Sequence, residues 1–435
     1  MKNRKLKLFL TLLVSLNWFT VGCGLFGTTS ENGDTGNNET PVSDDTLRLG
    51  ALFPTTGDLA SLGSNMPVAA QLAVDTVNAC GGVNGNPVTL IKEDDQTDPV
   101  AGSEAMTKLT EVDRVHGVVG SFASSVSTAA LDVAVRNKVM LISPGSTSPV
   151  FTERAQNGEF NGFWARTAPS DSYQAPALAA LARQKGFQNV STVVINNDYG
   201  VGFEQKFQES FKDLGGTILN EANPVRYDPK ATTLDTEAAS AFANNPDGVA
   251  AIVYAETGSL LLQSAFKQGL MDGVTVLLTD GVYSDDFGQQ MGKKTDGTSI
   301  VEGALGTIPG ADGEALEMLR ALWQEKIGTE MSAFVPHSWD ATVLLMLAAQ
   351  SAGSNNGEAI RDNIKLVSGG EGTPVSDPCQ ALELLKNGEQ INYQGASGNV
   401  DIDDNGDVIG VYDVWTVNAD GSVEVIDTIA PIIQN

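Results

Sequence analysis

The residue types that could do chemistry in this chain concentrate in short polar loops that follow apolar runs. Six stand out: Pro54-Thr55-Thr56-Gly57, Ser121-Phe122-Ala123-Ser124-Ser125, Ser143-Pro144-Gly145-Ser146-Thr147-Ser148-Pro149, Asn196-Asn197-Asp198-Tyr199-Gly200, Ala255-Glu256-Thr257-Gly258 with Tyr254 just before it, and Thr279-Asp280-Gly281. The first three offer hydroxyls and backbone amides near helix starts, which suits a carboxylate. The last three offer carboxylates and a tyrosine, Tyr199, which suits an ammonium group. Facing one another across a cleft, they would form a site for a zwitterion. Each loop taken alone is also what an ordinary solvated turn looks like.

Reactive chemistry has little to draw on. The chain has two histidines, His116 at the start of an apolar strand and His337 beside Pro336 at a helix start. No Gly-x-Ser-x-Gly elbow follows a strand, no Gly-x-Gly-x-x-Gly follows the first strand, and there is no P-loop. No catalytic residue and no cofactor are expected. The cysteines lack zinc-site spacing, and no metal is expected. Asp401-Ile402-Asp403-Asp404-Asn405-Gly406-Asp407 resembles the start of a calcium loop, but its twelfth place is Tyr412 and no helix flanks it. Asn405-Gly406 is read instead as a hairpin turn.

The 435 residues carry a formal charge of −28, against a nucleic-acid surface. Lys2, Arg4, Lys5 and Lys7 precede an apolar stretch over residues 8–21, too short to span a bilayer and typical of a secretory signal. It ends in Thr20-Val21-Gly22-Cys23, which resembles a bacterial lipobox with Thr20 where leucine is usual; an ordinary cleaved signal is the alternative. Residues 1–22 are expected to be removed and Cys23 lipidated. Residues 23–46, rich in Gly, Thr, Ser, Asn and acids, read as a flexible tether. The remaining cysteines, Cys80 and Cys379, are an even pair in an oxidising compartment, which suggests a disulfide, with two free thiols as the alternative. No later segment is apolar for long enough to cross a bilayer.

The elements that must position these loops alternate. Strand patterns at 47–53, 88–91, 115–119 and 139–142 are separated by helical spacing, as in Met66, Ala69, Ala70, Ala73, Val74 and Val77. Residues 163–167 read as an extended crossing segment. Alternation restarts with strands at 190–195, 217–219, 249–254 and 274–278. Helix-rich sequence follows from 316 to 386, and residues 398–426 alternate like antiparallel strands. The fold class is α/β: two doubly wound parallel-sheet lobes, with ligand loops at the C-terminal ends of the strands.

At these loops the sequence resembles the type I periplasmic binding proteins, specifically the leucine/isoleucine/valine-type substrate-binding components of ABC transporters. The resemblance rests on Leu49-Gly50-Ala51-Leu52-Phe53-Pro54-Thr55-Thr56-Gly57, Asn78-Ala79-Cys80-Gly81-Gly82-Val83-Asn84-Gly85, Asp94-Asp95-Gln96-Thr97-Asp98-Pro99 and Ile142-Ser143-Pro144-Gly145-Ser146-Thr147. It covers most of the chain from residue 47 and is looser in the second half. It implies lobes of 47–166 plus 308–408 and 167–307 plus 409–435, joined by a three-stranded hinge with crossings near Arg166, Thr307 and Ile409. Ser124, Gly145, Ser146 and Thr147 would then take the ligand carboxylate and part of its ammonium. Tyr199 would pack over the ligand, Asp280 would pair with the ammonium where relatives carry Glu, and Tyr254 or Glu256 would fill the neighbouring place. Cys80 and Cys379 would share a lobe, so a bond between them would not block closure. The implied protein is an anchored, extracytoplasmic monomer that hands an amino acid to transporter permease subunits and does no chemistry on it. A ligand-binding sensor module serving a separate receptor is the alternative.

Overall fold

The computed structural model describes residues 45–431. The expected signal segment, the Cys23 lipidation site and nearly all of the tether lie outside the described residues. Among those described, no helix is long and apolar enough to cross a membrane.

Five parallel strands form the first sheet: β1 (Arg48–Phe53), β2 (Thr89–Asp94), β3 (Gly117–Gly120), β4 (Met140–Ser143) and β5 (Trp164–Arg166), in the order β2-β1-β3-β4-β5. Burial on both faces follows from a two-residue period. Ala51, Phe53, Val119 and Ile142 belong to one apolar cluster. Leu52, Val118 and Leu141 point the other way, into a second cluster with Met106, Leu131, Phe151 and Trp164. The second sheet holds β6 (Asn189–Ile195), β7 (Thr217–Ile218), β8 (Val225–Tyr227), β9 (Gly248–Ile252), β10 (Thr275–Leu278) and β11 (Leu305–Pro309). The short β12 (Thr373–Val375) and β13 (Ile391–Tyr393) pair with each other, and the antiparallel β14 (Tyr412–Val417) and β15 (Val423–Ile429) complete the second sheet beside β11. The helix Val335–Ala352 is buried along almost its whole length and packs against β3, β4 and the helix Met66–Ala79.

Helix starts are set by local chemistry. Asp98 Oδ1 accepts from Val100 N at 2.8 Å and Ala101 N at 3.2 Å, with Pro99 in the first turn. Asn197 caps the helix Asp198–Asp213 by accepting from Gly200 N at 2.9 Å. In β11, Gly306 has no side chain because Trp415 of β14 fills that space; a Cβ there would meet its indole at 2.2 Å.

Two expectations change. Residues 398–411 form no strand. Asn405-Gly406 is a turn, but no strands flank it: Asp403 N donates to Asp407 O at 2.9 Å, and Asp403 Oδ1 accepts from Asn405 N at 2.7 Å and from Asp407 N at 2.9 Å. The hairpin lies further on, between β14 and β15, at Asp420-Gly421, where Gly421 has φ +96°. The chain also stays in the second sheet through Pro309, just past the expected crossing at Thr307.

Cys80, at the end of the helix Met66–Ala79, is bonded to Cys379 in the helix Pro378–Lys386. The two helices pack together on the first sheet's side. Replacing both cysteines by serine should lower the unfolding free energy by about 2–4 kcal/mol, because the bond spans a long loop of the unfolded chain. Denaturant unfolding with and without reductant measures this: wild type should lose that stability on reduction and the double variant should not respond.

Candidate functional site

The strand ends of the two sheets face each other. The loops after β3 and β4 build one wall. The Ser121 carbonyl accepts from Ser143 Oγ at 2.6 Å, Ser127 Oγ at 3.1 Å and Ser146 Oγ at 3.2 Å. Ser146 Oγ lies also 2.8 Å from Ser127 Oγ. Its hydroxyl is thus spent on knitting the two loops, which corrects its expected part as a ligand contact. Ser124 is buried at the first turn of the helix Ser124–Asn137, and its Oγ accepts from Ser148 N at 3.3 Å. Gly145 is glycine because Phe122 lies where a Cβ would be, 2.1 Å away. Thr147 Oγ1 donates to Asp171 Oδ2 at 3.0 Å, and Thr147 O accepts from Asp171 N at 2.8 Å.

The opposite wall comes from the second sheet. Asp280 follows β10, and its Oδ1 accepts from Gln174 Nε2 at 2.9 Å and from Tyr199 OH at 3.1 Å. Tyr199 OH also lies 2.6 Å from Thr279 Oγ1. The Tyr199 and Tyr254 rings stack, with centroids 5.6 Å apart and planes 14° apart. Gly281 lets this turn lie close: a Cβ there would meet Val253 O at 2.6 Å. Of the two alternatives beside β9, the structure brings Tyr254 to this cluster. Glu256 is exposed, on the outer side of the first turn of the helix Ala255–Lys267.

Two members of the cluster were not read from sequence. Asp171 and Gln174 open the helix Asp171–Gln184 and are both fully buried. Asp171 Oδ1 and Gln174 Oε1 accept no hydrogen bond from the described residues. An aspartate one place after Ser170 looks like ordinary first-turn complementation of a helix dipole, and Ser170 Oγ does cap that helix by accepting from Ser172 N at 3.2 Å. The available signal was Gln174, a long amide on a face otherwise made of Ala175, Leu178 and Ala182.

Burial pushes the Asp280 carboxyl up to about 6, against the opposing effect of its bonds from Gln174 and Tyr199. Asp171 is raised well above the ordinary carboxylate range, first by burial and then by the charge of Asp280. Bonds join the walls at their rims. Asp58 accepts from Thr257 N at 3.1 Å and from Thr257 Oγ1 at 2.8 Å, Thr128 Oγ1 donates to Asp198 at 2.7 Å, and Lys230 pairs with Asp98 at 3.0 Å. A groove of about 490 Å³ runs between the walls beside Tyr254, with Asp58, Val100 and Asp228 among its lining.

The histidines are not part of this cluster chemistry. Burial holds His337 down to about 3 and His116 down to about 4, so both are neutral near pH 7. His116 Nδ1 accepts from Arg48 N at 3.0 Å, a structural bond. The two walls differ in chemistry: hydroxyls on one, two carboxylates and stacked tyrosines on the other.

The model of the family described as "Receptor family ligand binding region" matches residues 65–420. The chain is 27% identical over 365 residues to the chemotactic signal transduction system substrate-binding protein BasB of Halobacterium salinarum, covering 82% of this chain and 83% of that protein. It is 29% identical over 321 residues to Leu/Ile/Val-binding protein homolog 1 of Brucella abortus, covering 73% and 81%. Among solved structures, it superposes on the leucine-binding protein LivK of Thermotoga maritima with a TM-score of 0.74 at 25% identity, covering 88% of this chain and 99% of that one. LivJ of Streptococcus pneumoniae, solved with isoleucine, gives 0.72 at 22% identity, covering 89% and 100%.

A carboxyl whose folded pKa lies above its unfolded value costs stability once ionised. The cost is absent below the unfolded value near 3.8 and grows as pH rises through about 6. Asp171→Asn removes one of the two buried charges and keeps an acceptor for Thr147. Ligand-free, it should be more stable than wild type by about 1–3 kcal/mol at pH 8.5. The gain should shrink towards zero at pH 4.5, as followed by chemical denaturation at the two pH values.

Proposed function

The chain belongs to the receptor ligand-binding-region family, as a type I periplasmic binding protein of the Leu/Ile/Val kind, and we propose on that premise that it captures an amino acid between its two walls and delivers it to an ABC importer. The observation that carries this reading is the second wall. Two buried carboxylates with two unpartnered acceptor atoms, Asp171 Oδ1 and Gln174 Oε1, call for a ligand rich in N–H donors. A primary ammonium brings three. Ser124 Oγ and the Thr147 amide supply the opposite pole, for the carboxylate, since the amides of Gly145, Ser146 and Ser148 already donate to Ser143 Oγ and Ser124 Oγ. Tyr199 and Tyr254 give the ligand an aromatic face.

The lobes in this reading are 47–166 with 308–408, and 167–307 with 409–435, and closure is a hinge motion about the three crossings. Residues 1–22 are the signal, Cys23 carries a lipid, and residues 23–46 tether a monomeric body at the extracytoplasmic face of a membrane. The protein binds and releases its ligand unchanged. The likeness to BasB favours a second reading, in which the closed form presents its ligand to a separate chemotaxis receptor.

A thermal-shift and calorimetry panel tests the proposal. L-Leucine, L-isoleucine, L-valine and other amino acids should include at least one binder. The des-amino analogue of that binder, and benzoate, should not bind, because neither brings an ammonium to Asp171 and Asp280. Binding of des-amino acids in preference to amino acids would overturn the reading. Asp280→Ala should abolish binding while the protein still melts cooperatively. Ser124→Ala should cost about 1–3 kcal/mol of affinity, as for a hydrogen bond to a charged group. Affinity should also fall as pH drops through about 6, since a protonated Asp280 offers the ammonium no charge; a pH-independent dissociation constant between 5 and 8 would remove Asp280 from the site.

A further inference from the structure

Arg166 is fully buried at the end of β5, where the chain leaves the first sheet, and it reaches the first wall's loop through backbone carbonyls. Its guanidinium uses its whole fork. Nε donates to Asp407 Oδ1 at 2.7 Å, Nη2 donates to Thr152 Oγ1 at 2.9 Å, and Nη1 donates to Ser146 O at 3.0 Å and to Ser148 O at 2.9 Å. Those two carbonyls flank Thr147. Asp407 in turn accepts from Thr152 Oγ1 at 2.6 Å, and Arg166 N donates to Gly406 O at 2.9 Å. Asp407 belongs to the segment that brings the chain back to β14. Two crossing segments and the helix Val150–Gln156 therefore meet on one side chain.

We infer that Arg166, held by Asp407 and Thr152, is a positioning residue that aims Thr147 into the ligand site by clamping the carbonyls on either side of it. The clamp fixes the peptide unit before Thr147 through Ser146 O and the one beyond Ser148 through Ser148 O, while Thr147 O and Ser148 N of the unit between are bonded to Asp171 N and Ser124 Oγ, so the backbone is held on both sides and the Thr147 hydroxyl is kept towards Asp171. The planar fork makes this possible. A lysine ammonium would keep the charge but could not hold Asp407, Thr152 and two carbonyls together. The clamp lies at the crossings, so it also makes the shape of the binding loop depend on the same segments about which the walls move.

This inference rests on the reading of Thr147 as a ligand residue, and the experiment separates the two. Hydrogen exchange is measured first on the full ligand-free chain, comparing wild type with Arg166→Lys. Exchange at residues 145–148 and at the Asp171 amide should quicken by about tenfold or more, while the helix Val335–Ala352 keeps its protection. Unchanged exchange in the loop would overturn the clamp. L-Isoleucine is then titrated into wild type, Arg166→Lys, Thr147→Val and the double variant. Arg166→Lys should weaken binding by about tenfold or more alone and by less than about twofold on the Thr147→Val background. Additive losses would show that Arg166 acts on the fold at large, and would overturn its role through Thr147. Should wild type ignore L-isoleucine, the branched-chain ligand reading fails and the exchange result alone decides the clamp. If Arg166→Lys does not fold, Asp407→Asn, which keeps an acceptor opposite Nε and drops the charge, carries the same measurements.

Discussion

Two carboxyl groups taken out of water beside each other are the constraint on which this molecule turns. Removing a charge from water costs several kcal/mol unless a partner offsets it. Asp171 and Asp280 have hydrogen-bond donors from Thr147, Tyr199 and Gln174, but the buried Arg166 is engaged elsewhere, with Asp407. The Arg166 charge lowers the Asp171 carboxyl, but by less than burial and the Asp280 charge raise it. The protein thus places acid on one wall without supplying the matching cation itself, although a guanidinium lies within the same fold.

That arrangement needs an accurate frame, and parallel sheets provide it. Every strand in the first sheet, and β6, β9 and β10 in the second, delivers its C-terminal end to the same cleft. Short strands such as β3 and β4 end in glycine and serine, whose small side chains let loops from neighbouring strands touch. The Ser121 carbonyl, bonded by three hydroxyls, fastens the β3 loop to the β4 loop. Arg166 then fastens the β4 loop to the crossing segments. The first wall's hydroxyls and amides bond one another, whereas the second leaves Asp171 Oδ1 and Gln174 Oε1 without donors among the described residues.

How much of this was legible follows from how local each signal is. The strand-end loops could be read because apolar runs and Gly/Ser/Asp punctuation are local patterns. Tyr199 and Asp280 lie inside those loops, so they were found together, whereas Tyr254 came only from the resemblance, as an alternative to Glu256. Asp171 and Gln174 lie one helix turn into a segment that reads as a capped helix start, and only the tertiary fold turns that turn towards Asp280. Ser146 was legible as a loop hydroxyl, but its engagement with Ser121, Phe122 and Ser127 is a matter of three-dimensional packing. Glu256 and Tyr254 sit close in sequence yet on opposite sides of a helix entrance. The acid-rich 401–407 turn was misread as a hairpin because Asn-Gly signals a tight turn without saying what lies on either side. Its actual work is to present Asp407 to Arg166, a partner 241 residues away in the chain.

The balance between open and closed walls follows from the same terms. The rim bonds made on closing, Asp58 with Thr257, Thr128 with Asp198 and Lys230 with Asp98, are partly exposed, and such pairs contribute about 0–1 kcal/mol each. Against them stands the cost of covering Asp171 and Asp280 with no cation between them. These contributions are opposite in sign, and weak rim pairs do not outweigh the burial cost, so rim contacts alone give no strong bias to the closed arrangement. A ligand ammonium reverses the larger one. It bonds the two acceptors that lack donors, screens one carboxylate from the other, and does so only where both walls meet. A ligand shifts a conformational equilibrium only by its differential affinity for the two states. Here that differential is built in, because the site that needs a cation is complete only when closed. Lengthening one acid from Asp280 to Glu would bring its charge nearer the ligand but crowd Tyr199 and Gln174, whereas the shorter aspartate keeps both donors and leaves the ammonium room to reach Asp171 as well.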